Sequence, residues 1–310
     1  MRLVNFVPIG TRIDFMRFRR YALMFSAVMC ALSIALFAVR GLNFGIDFRG
    51  GILIEVRTQG PADIGALRGK LEGLGLGAQL QGFGADTDVL IRIQRQDEGE
   101  GAQEAVVKRV RDALGSGVEY RRVESVGPKV SGELIEAGTE AVILALLAML
   151  IYIWFRFEWQ FGVGGVVALA HDVILTIGVF AALGLEFNLT TVAAILTIAG
   201  YSINDTVVVY DRVRENLRKY KTMPLDDLLN LSLNETLSRT ILTSGTTLIA
   251  VFSLYIFGGP VISGFSFAMI WGICVGTYSS IYIATPLLIH MNLRRSGVAE
   301  DGGETRTAES

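Results

Sequence analysis

Long runs of apolar residues separated by short polar connections cover most of the chain and predict helices that cross a membrane. The first run, residues 21–39, contains no charged residue and as a helix is long enough to span a hydrocarbon core of about 30 Å. Five further apolar runs follow, at residues 137–155, 161–185, 189–210, 240–257 and 261–288. We therefore expect a polytopic α-helical membrane protein with six transmembrane helices.

The first apolar run could belong to a cleaved signal peptide or to a retained membrane helix. It is longer than the apolar core of a signal peptide, which has about 7–15 residues, and Arg40 stands where a small-residue cleavage site would be needed. We interpret residues 21–40 as the first transmembrane helix. The arginine-rich residues 1–20 then lie on the cytoplasmic side.

Residues 41–135 interrupt the membrane pattern and have the alternation of a folded domain. Four segments have strand character and two have the 3.6-residue spacing of a helix. The strands are expected at residues 51–58, 78–83, 88–94 and 118–126, and the helices at residues 61–74 and 102–114. This βαββαβ order is the split βαβ pattern of ferredoxin-like domains. It predicts a small α+β domain, extracytoplasmic (periplasmic), between helices 1 and 2.

Residues 136–290 contain the predicted helices 2–6. Basic residues indicate the orientation of all six spans. They cluster before the first span, in the connection near residues 211–239, and after the last span at Arg294 and Arg295. With six spans, all three clusters fall on one side, as the positive-inside rule requires. Both termini are then cytoplasmic, and residues 291–310 form a tail that we expect to be disordered.

Composition supports a membrane protein and excludes several other classes. The chain is 51% hydrophobic with a mean hydropathy of +0.47, which is too apolar for an ordinary soluble domain. Its net charge of −2 gives no indication of nucleic-acid binding. Cys30 and Cys274 both fall in apolar runs and do not have the spacing of a disulfide framework or a metal site.

The fourth apolar run carries a carboxylate into the membrane. Asn204 and Asp205 follow an apolar stretch that begins near residue 189. A carboxylate in hydrocarbon costs several kcal/mol unless it is paired, hydrated or protonated, so it indicates a proton or ion pathway. Tyr201 and Ser202 stand four and three residues earlier and share the helical face of Asp205.

A partner for this carboxylate is expected on the next span. Arg239 comes to a depth similar to that of Asp205 when both are counted from the nearer helix ends at about 1.5 Å per residue. Thr243 continues the polar face of Arg239 at helical spacing. A pair whose separation changes could take up and release a proton. A static ion pair that holds two helices together is the alternative, and the residues alone leave both open.

His171 and Asp172 form a second candidate for the proton pathway, at comparable depth on the third span. A histidine beside a carboxylate is also found as a buried hydrogen-bonded pair, so this assignment is open as well. The chain has 2 histidines, which makes a histidine-based metal site a poor interpretation. We expect no cofactor, with protons as the coupling ion.

Four sequence motifs resemble those of a known family. They are Gly45-Ile-Asp-Phe-Arg-Gly-Gly, Val126-Gly-Pro, His171-Asp-Val-Ile and Gly200-Tyr-Ser-Ile-Asn-Asp-Thr-Val-Val-Val-Tyr-Asp-Arg. The chain resembles the SecF family, membrane subunits of the bacterial SecD–SecF protein-export accessory complex and relatives of resistance-nodulation-division transporters. The first motif also resembles SecD, but the modest size of the outer domain favours SecF.

The resemblance implies a function that spacing does not reveal. A SecF-like subunit pairs with SecD in the bacterial cytoplasmic (inner) membrane, docks with the SecYEG channel, and uses the proton gradient to help draw exported polypeptides outward. It implies that Asp205 is the proton-carrying aspartate and that Arg239 is its associated arginine. We accordingly expect a translocase subunit without covalent catalysis.

Three other functions are weighed against this interpretation. Half of a proton-driven small-molecule exporter would show a deep apolar pocket in the outer domain. A non-conducting scaffold for the translocon would keep full activity without Asp205. An intramembrane hydrolase is disfavoured, because Ser202 lacks a convincing base and there is no His-Glu-x-x-His zinc signature.

Overall fold

A membrane-length helix leads into a small mixed domain in the computed structural model of the chain, which describes residues 11–94, 102–291 and 293. Helix α1 (Arg19–Arg40) is followed by the short elements β1 (Asn43–Phe44) and α2 (Ile46–Arg49). The domain then comprises, in chain order, β2 (Gly51–Thr58), α3 (Ile64–Glu72), β3 (Gln79–Phe83), β4 (Ala85–Ile93), α4 (Ala102–Leu114) and β5 (Val118–Val126). This element order is the predicted one.

The chain returns to the membrane part after β5 and stays there. The remaining elements are α5 (Pro128–Arg156), α6 (Trp159–Leu183), β6 (Glu186–Phe187), α7 (Leu189–Lys219), α8 (Leu225–Phe257), α9 (Pro260–Ser279), a π-helical turn (Ser280–Ala284) and α10 (Thr285–His290). Over the described residues, six helical stretches are long and apolar enough to cross a membrane, which confirms the predicted count. Most of the predicted tail at 291–310, and residues 1–10, lie outside the described residues.

The connection between the fourth and fifth spans differs from the prediction. Helices α7 and α8 contain 31 and 33 residues, so each is well over 40 Å long and exceeds a core of about 30 Å. A loop over residues 211–239 is therefore wrong in extent, since only residues 220–224 connect the helices. Arg212 and Asn216 both donate to Glu235 over 2.7 Å, which joins the two helices beyond their apolar parts. Hydropathy predicts only the apolar part of each helix. The polar contacts between α7 and α8 stabilise both helices beyond that part.

The α+β domain is a four-stranded antiparallel sheet covered on one face by two helices. The strand order is β3-β4-β2-β5, with Ile54 opposite Ile91 on one side and Val123 on the other. β-Branched residues on one face of β2 and β4 pack against α3 and α4. This core contains Ile52, Ile54, Val56, Leu67, Leu71, Val89, Ile91, Ile93, Val106 and Val110, all buried. The other face of β2 is also buried, at Leu53 and Glu55, where the domain meets the membrane helices.

Several polar contacts fasten the domain to the turn between α6 and α7. β1 pairs in parallel with β6, which lies in that turn. Arg92 of β4 donates to Glu186 over 2.6 Å. Asp47 of α2 accepts a hydrogen bond from the backbone N–H of Leu189 at 2.9 Å and so caps the start of α7. A Cβ at Gly45 would lie 2.6 Å from Glu186 Oε1 and 3.1 Å from the Asn188 Cβ, so a larger residue would require these side chains to shift.

Glycines bring the membrane helices into close contact. A side chain at Gly272 of α9 would collide with Ile198 of α7, and one at Gly178 of α6 would collide with Ser33 of α1. Small residues drive such close helix packing in membranes, where apolar side chains gain little by leaving lipid. Helix α5 differs, because none of the residues in its most apolar window is buried. The glycines therefore bring α6 close to α1 and α7 close to α9.

One ion pair of the α+β domain joins its two central strands. Arg57 of β2 donates to both carboxylate oxygens of Asp88 on β4, over 2.6 and 2.7 Å. Asp88 is buried, and the hydrogen bonds and charge of Arg57 hold the pKa of its carboxyl below the ordinary value. This pair is therefore a pH-dependent contribution to the stability of the domain.

We expect Asp88→Asn to accelerate hydrogen exchange of the β2 and β4 backbone amides several-fold at neutral pH. The lowered pKa stabilises the fold above the ordinary aspartate pKa of about 3.9, and this contribution is lost as the pH falls through the lowered value. The difference from wild type should therefore shrink in acid. The exposed pair Arg121–Glu119 supplies the control, Glu119→Gln, which should change little. An equal effect of both variants would contradict the assignment.

Candidate functional site

Two buried carboxylates lie where α6, α7, α8 and α9 meet. Asp172 belongs to α6 and Asp205 to α7, and both are buried. The start of α7 is fixed by a capping box, in which Asn188 accepts from the N–H of Thr191 and Thr191 accepts from the N–H of Asn188. Counted from that start at about 1.5 Å per residue, Asp205 lies roughly 24 Å along the helix. It is therefore well inside the membrane span.

Asp172 accepts hydrogen bonds from three different elements. Ser202 of α7 donates to its Oδ2 over 2.5 Å, and Ser279 at the end of α9 donates to the same oxygen over 2.8 Å. The ring Nδ1 of His171 lies 2.9 Å from Oδ1. Both carboxylate oxygens thus have protein partners. Asp172 consequently joins α6, α7 and α9 at one buried point.

His171 is held beside this carboxylate by an aromatic neighbour. Its ring is stacked on Tyr278, with the centroids 6.1 Å apart. The second ring nitrogen, Nε2, is buried and has no hydrogen-bond partner among the described residues. The predicted His171–Asp172 contact therefore exists, and it has the form of a buried hydrogen-bonded pair with one nitrogen left over.

Asp205 is only half satisfied. Thr240 of α8 donates to its Oδ1 over 2.7 Å. The other oxygen, Oδ2, is buried and accepts no hydrogen bond from any residue that the structure describes. A buried charged oxygen without a partner is costly in a medium of low dielectric constant. The two carboxylates therefore differ in kind, since one is fully enclosed by donors and the other is not.

Arg239 does not form an ion pair with Asp205. Its side chain is exposed, and the part of the chain that the structure describes offers it no ion-pair partner. Adjacent helical residues point about 100° apart, so when Thr240 faces α7 its neighbour Arg239 must point away. The predicted direct pair is therefore wrong for this conformation.

The predicted supporting residues divide among three places. Ser202 faces Asp172 rather than Asp205. Tyr201 turns toward α8, where its hydroxyl donates to Ser244 over 3.3 Å. Asn204 and Thr243 are exposed, and the Thr243 hydroxyl donates to the backbone of its own helix. Helical spacing thus predicts which residues share a face, but it does not predict which neighbour each side chain contacts.

Four hydroxyl residues of the site were missed at the sequence level. Two of them, Thr240 and Ser279, donate to the carboxylates. The other two, Thr206 and Ser280, form a hydrogen bond with each other, with 2.9 Å between their hydroxyl oxygens. Ser280 begins the π-helical turn, and Thr285, the residue that follows the turn, donates to the carbonyl oxygen of Ser280. π-Helical turns often mark functional positions. The adjacent serines inside an apolar span were the available signal.

Comparisons with known proteins agree with this architecture. The family model described as "Protein export membrane protein SecD/SecF, C-terminal" matches residues 106–294, and the "SecD/SecF GG Motif" model matches residues 35–62. A protein translocase subunit SecF from Cereibacter sphaeroides is 50% identical over 95% of this chain and 94% of that protein. The SecF subunit from Rhodobacter capsulatus is 48% identical over 96% of this chain and 94% of that protein.

Solved structures show the same fold. A crystal structure of SecDF, a translocon-associated membrane protein from Thermus thermophilus, matches with a TM-score of 0.83 and 36% identity. The match covers 92% of this chain and 39% of the SecDF chain. A SecDF structure in a super-membrane-facing form matches with a TM-score of 0.68 at the same identity. This chain is a multi-pass bacterial membrane protein with an accessory role in the Sec machinery, and it belongs to the SecF family of protein translocase subunits.

Proposed function

We propose that this subunit, together with SecD, uses the proton motive force to help move polypeptides that leave the SecYEG channel. Protons are the coupling ion, and no covalent catalysis or cofactor is involved. The α+β domain lies on the extracytoplasmic side and both termini lie in the cytoplasm, as the clusters of basic residues indicate. SecD is the partner that the SecF and SecDF relatives support.

The incomplete environment of Asp205 carries the proposal. Its Oδ1 accepts from Thr240 and its buried Oδ2 has no described partner. The neutral acid needs no counter-charge, whereas the carboxylate does. A site that supplies the counter-charge in one arrangement and withholds it in another would bind and release a proton in turn. Asp205 fits that requirement and the fully enclosed Asp172 does not.

Arg239 is the counter-charge in this proposal. It is exposed here and adjoins Thr240, the residue that now contacts Asp205. A rotation of α8, combined with a new rotamer of the long arginine side chain, would bring the guanidinium toward Oδ2. The guanidinium keeps its charge at every physiological pH, so a change in its distance from Asp205 changes which form of the acid is favoured.

Asp172 has a static role in this proposal. It joins α6, α7 and α9 through Ser202, Ser279 and His171. Helix α8 contributes nothing to that network among the described residues and contacts the site through Asp205 instead. The three joined helices would then form the fixed part of the subunit, against which α8 moves.

Movement at the site can reach the outer domain through α7. The start of this helix is capped by Asp47, and the preceding turn is bound to Arg92 of the domain sheet. The two SecDF structures match this chain differently, with TM-scores of 0.83 and 0.68 over nearly equal coverage, so SecDF proteins are found in more than one arrangement. A rigid connection from α7 to the domain would convert such a rearrangement into domain movement.

The outward polar residues of α7 and α8 mark the face on which we place SecD. Asn204, Arg239 and Thr243 are exposed at membrane depth. An arginine and an amide rarely face lipid, because their transfer into hydrocarbon is costly. Membrane helices of SecD would cover this face and complete the environment of Arg239.

The proton gradient supplies enough free energy for such a cycle. One charge that crosses 100 mV releases about 2.3 kcal/mol, which is comparable with the few kcal/mol that separate two conformations of a protein.

The small-molecule exporter is less well supported. The exporter needs a deep apolar pocket within the outer domain, whereas two of the cavities at its border contain charged side chains such as Arg92 and Glu124 beside apolar ones.

Asp205→Asn should remove the gradient-dependent share of export and leave the rest, because the amide cannot take up the proton. The measurement is export of a precursor into vesicles that contain SecD and SecYEG, with and without a proton gradient. Asp211→Asn is the matched control, since Asp211 lies on the same helix in an exposed pair with Arg156. A gradient-dependent share that survives in Asp205→Asn would support the scaffold instead.

Arg239→Met should have the same effect on gradient-dependent export without loss of folded protein, because this exposed side chain forms no ion pair with the residues that the structure describes. Arg239→Lys should retain part of the activity, since it keeps a cation of shorter reach. Arg218→Met, at the far end of α7, serves as the control. The role of Arg239 is contradicted if the methionine variant responds to the gradient as wild type does.

Asp172→Ala should lower the thermal stability of the purified complex by about 1–3 kcal/mol, because it leaves buried serine hydroxyls without their acceptor. Asp205→Asn should change that stability much less. The stability of each variant is measured by heating the purified complex in detergent and recording the loss of monodisperse protein. A larger loss in Asp205→Asn would reverse the two roles.

A further inference from the structure

An apolar groove lies beneath the outer domain, outside the carboxylate site. It has a volume of about 520 Å³, which is within the range of about 300–1,000 Å³ for small-molecule sites. Its walls come from α5, α6 and α7, and its roof comes from α2 and the β1–β6 pair. Residues from each wall and the roof include Phe48, Ile135, Val142, Val173, Phe187 and Ile195. The groove is a candidate binding site of its own.

The groove opens sideways toward the lipid. Helix α5 packs loosely on α6 and α7, and Ile135 and Ile143 on the groove wall are each about half exposed in this chain, at 45% and 51%. The groove extends along α6 to Val173. That residue lies about 15 Å from the end of α6 at Leu183, at about 1.5 Å per residue. This depth is half of a core of about 30 Å, which is the reach of one acyl chain.

One unpaired charge stands at the mouth of the groove. Arg49 lines it, is exposed, and forms no ion pair with any residue that the structure describes. Its guanidinium lies 5.9 Å from the centroid of the Phe44 ring, which holds it at the rim. The neighbouring hydroxyl of Thr139 is already used, because it donates to the Ile135 carbonyl over 2.7 Å. Arg49 is therefore the group available to a polar ligand.

We propose that the groove binds one acyl chain of a phospholipid whose phosphate contacts Arg49. The apolar walls match the chain, and the guanidinium matches the phosphate in charge and in hydrogen-bond geometry. A phospholipid in this position would fill the space between α5 and the α6–α7 pair and would touch the Gly45–Gly51 motif through Arg49. The site is independent of the proton-coupling proposal, since it shares no residue with it.

The test compares phospholipid retained by the purified complex of this subunit with SecD. The complex is reconstituted with phosphatidylglycerol, delipidated gently, and examined by native mass spectrometry. Arg49→Gln should lower retention about tenfold, the effect of losing one charge-assisted contact. Gly138→Trp should abolish it, because a Cβ at Gly138 meets only Leu189, at 3.5 Å, and a larger side chain would enter the groove.

Controls separate this site from ordinary boundary lipid. Leu144→Trp places the same bulk on an exposed part of α5 outside the groove and should retain phospholipid as wild type does. Diacylglycerol with the same chains should be retained less than phosphatidylglycerol by wild type. Equal retention by all variants, or of both lipids, would overturn the proposal. A photoreactive residue in place of Ile143 that crosslinks to SecD instead of lipid would also overturn it.

Discussion

The structure depends on how two carboxylates are satisfied inside a membrane. Burial removes the water that would otherwise solvate them, so protein donors must replace it. Both carboxylate oxygens of Asp172 have partners, namely His171, Ser202 and Ser279, whereas Oδ2 of Asp205 has no geometric hydrogen-bond partner among the described residues. The complete set fixes three helices relative to one another. The incomplete set leaves an oxygen that can gain a partner in another arrangement, and our proposal assigns the structural role to Asp172 and the proton-binding role to Asp205 on this difference.

The remaining architecture follows from placing those donors. Gly276 of α9 faces Ser202 of α7, and a Cβ at Gly276 would lie only 3.0 Å from the Cβ of Ser202. The two helices therefore approach closely enough for a serine on each to reach Asp172. The π-helical turn that begins at Ser280 places two adjacent serines toward different neighbours. At its other end, α7 is capped by Asp47 of the segment that leads into the outer domain. Helix α7 thus joins the Asp205 site to the α+β domain.

The sequence predicted the features that depend on local composition. Apolar runs gave the six spans, alternation gave the βαββαβ order, and the cost of a charge in hydrocarbon singled out Asp172 and Asp205. It did not predict which side chain meets which carboxylate, because that depends on the rotation of helices packed far apart in sequence. Arg239 and Thr240 are neighbours in the chain, yet only Thr240 faces Asp205. The long hairpin of α7 and α8 was missed for a related reason, since contacts between the helices extend them beyond their apolar parts.

The central claim is that Asp205 changes its protonation as Arg239 approaches and withdraws. Infrared difference spectroscopy of the reconstituted complex, recorded while a proton gradient is applied and collapsed, measures this directly. The account predicts a carboxylic-acid carbonyl band that appears and disappears with the gradient, is absent in Asp205→Asn, and no longer responds in Arg239→Met. If the wild-type complex shows no change in this band as the gradient is applied and collapsed, the account is contradicted.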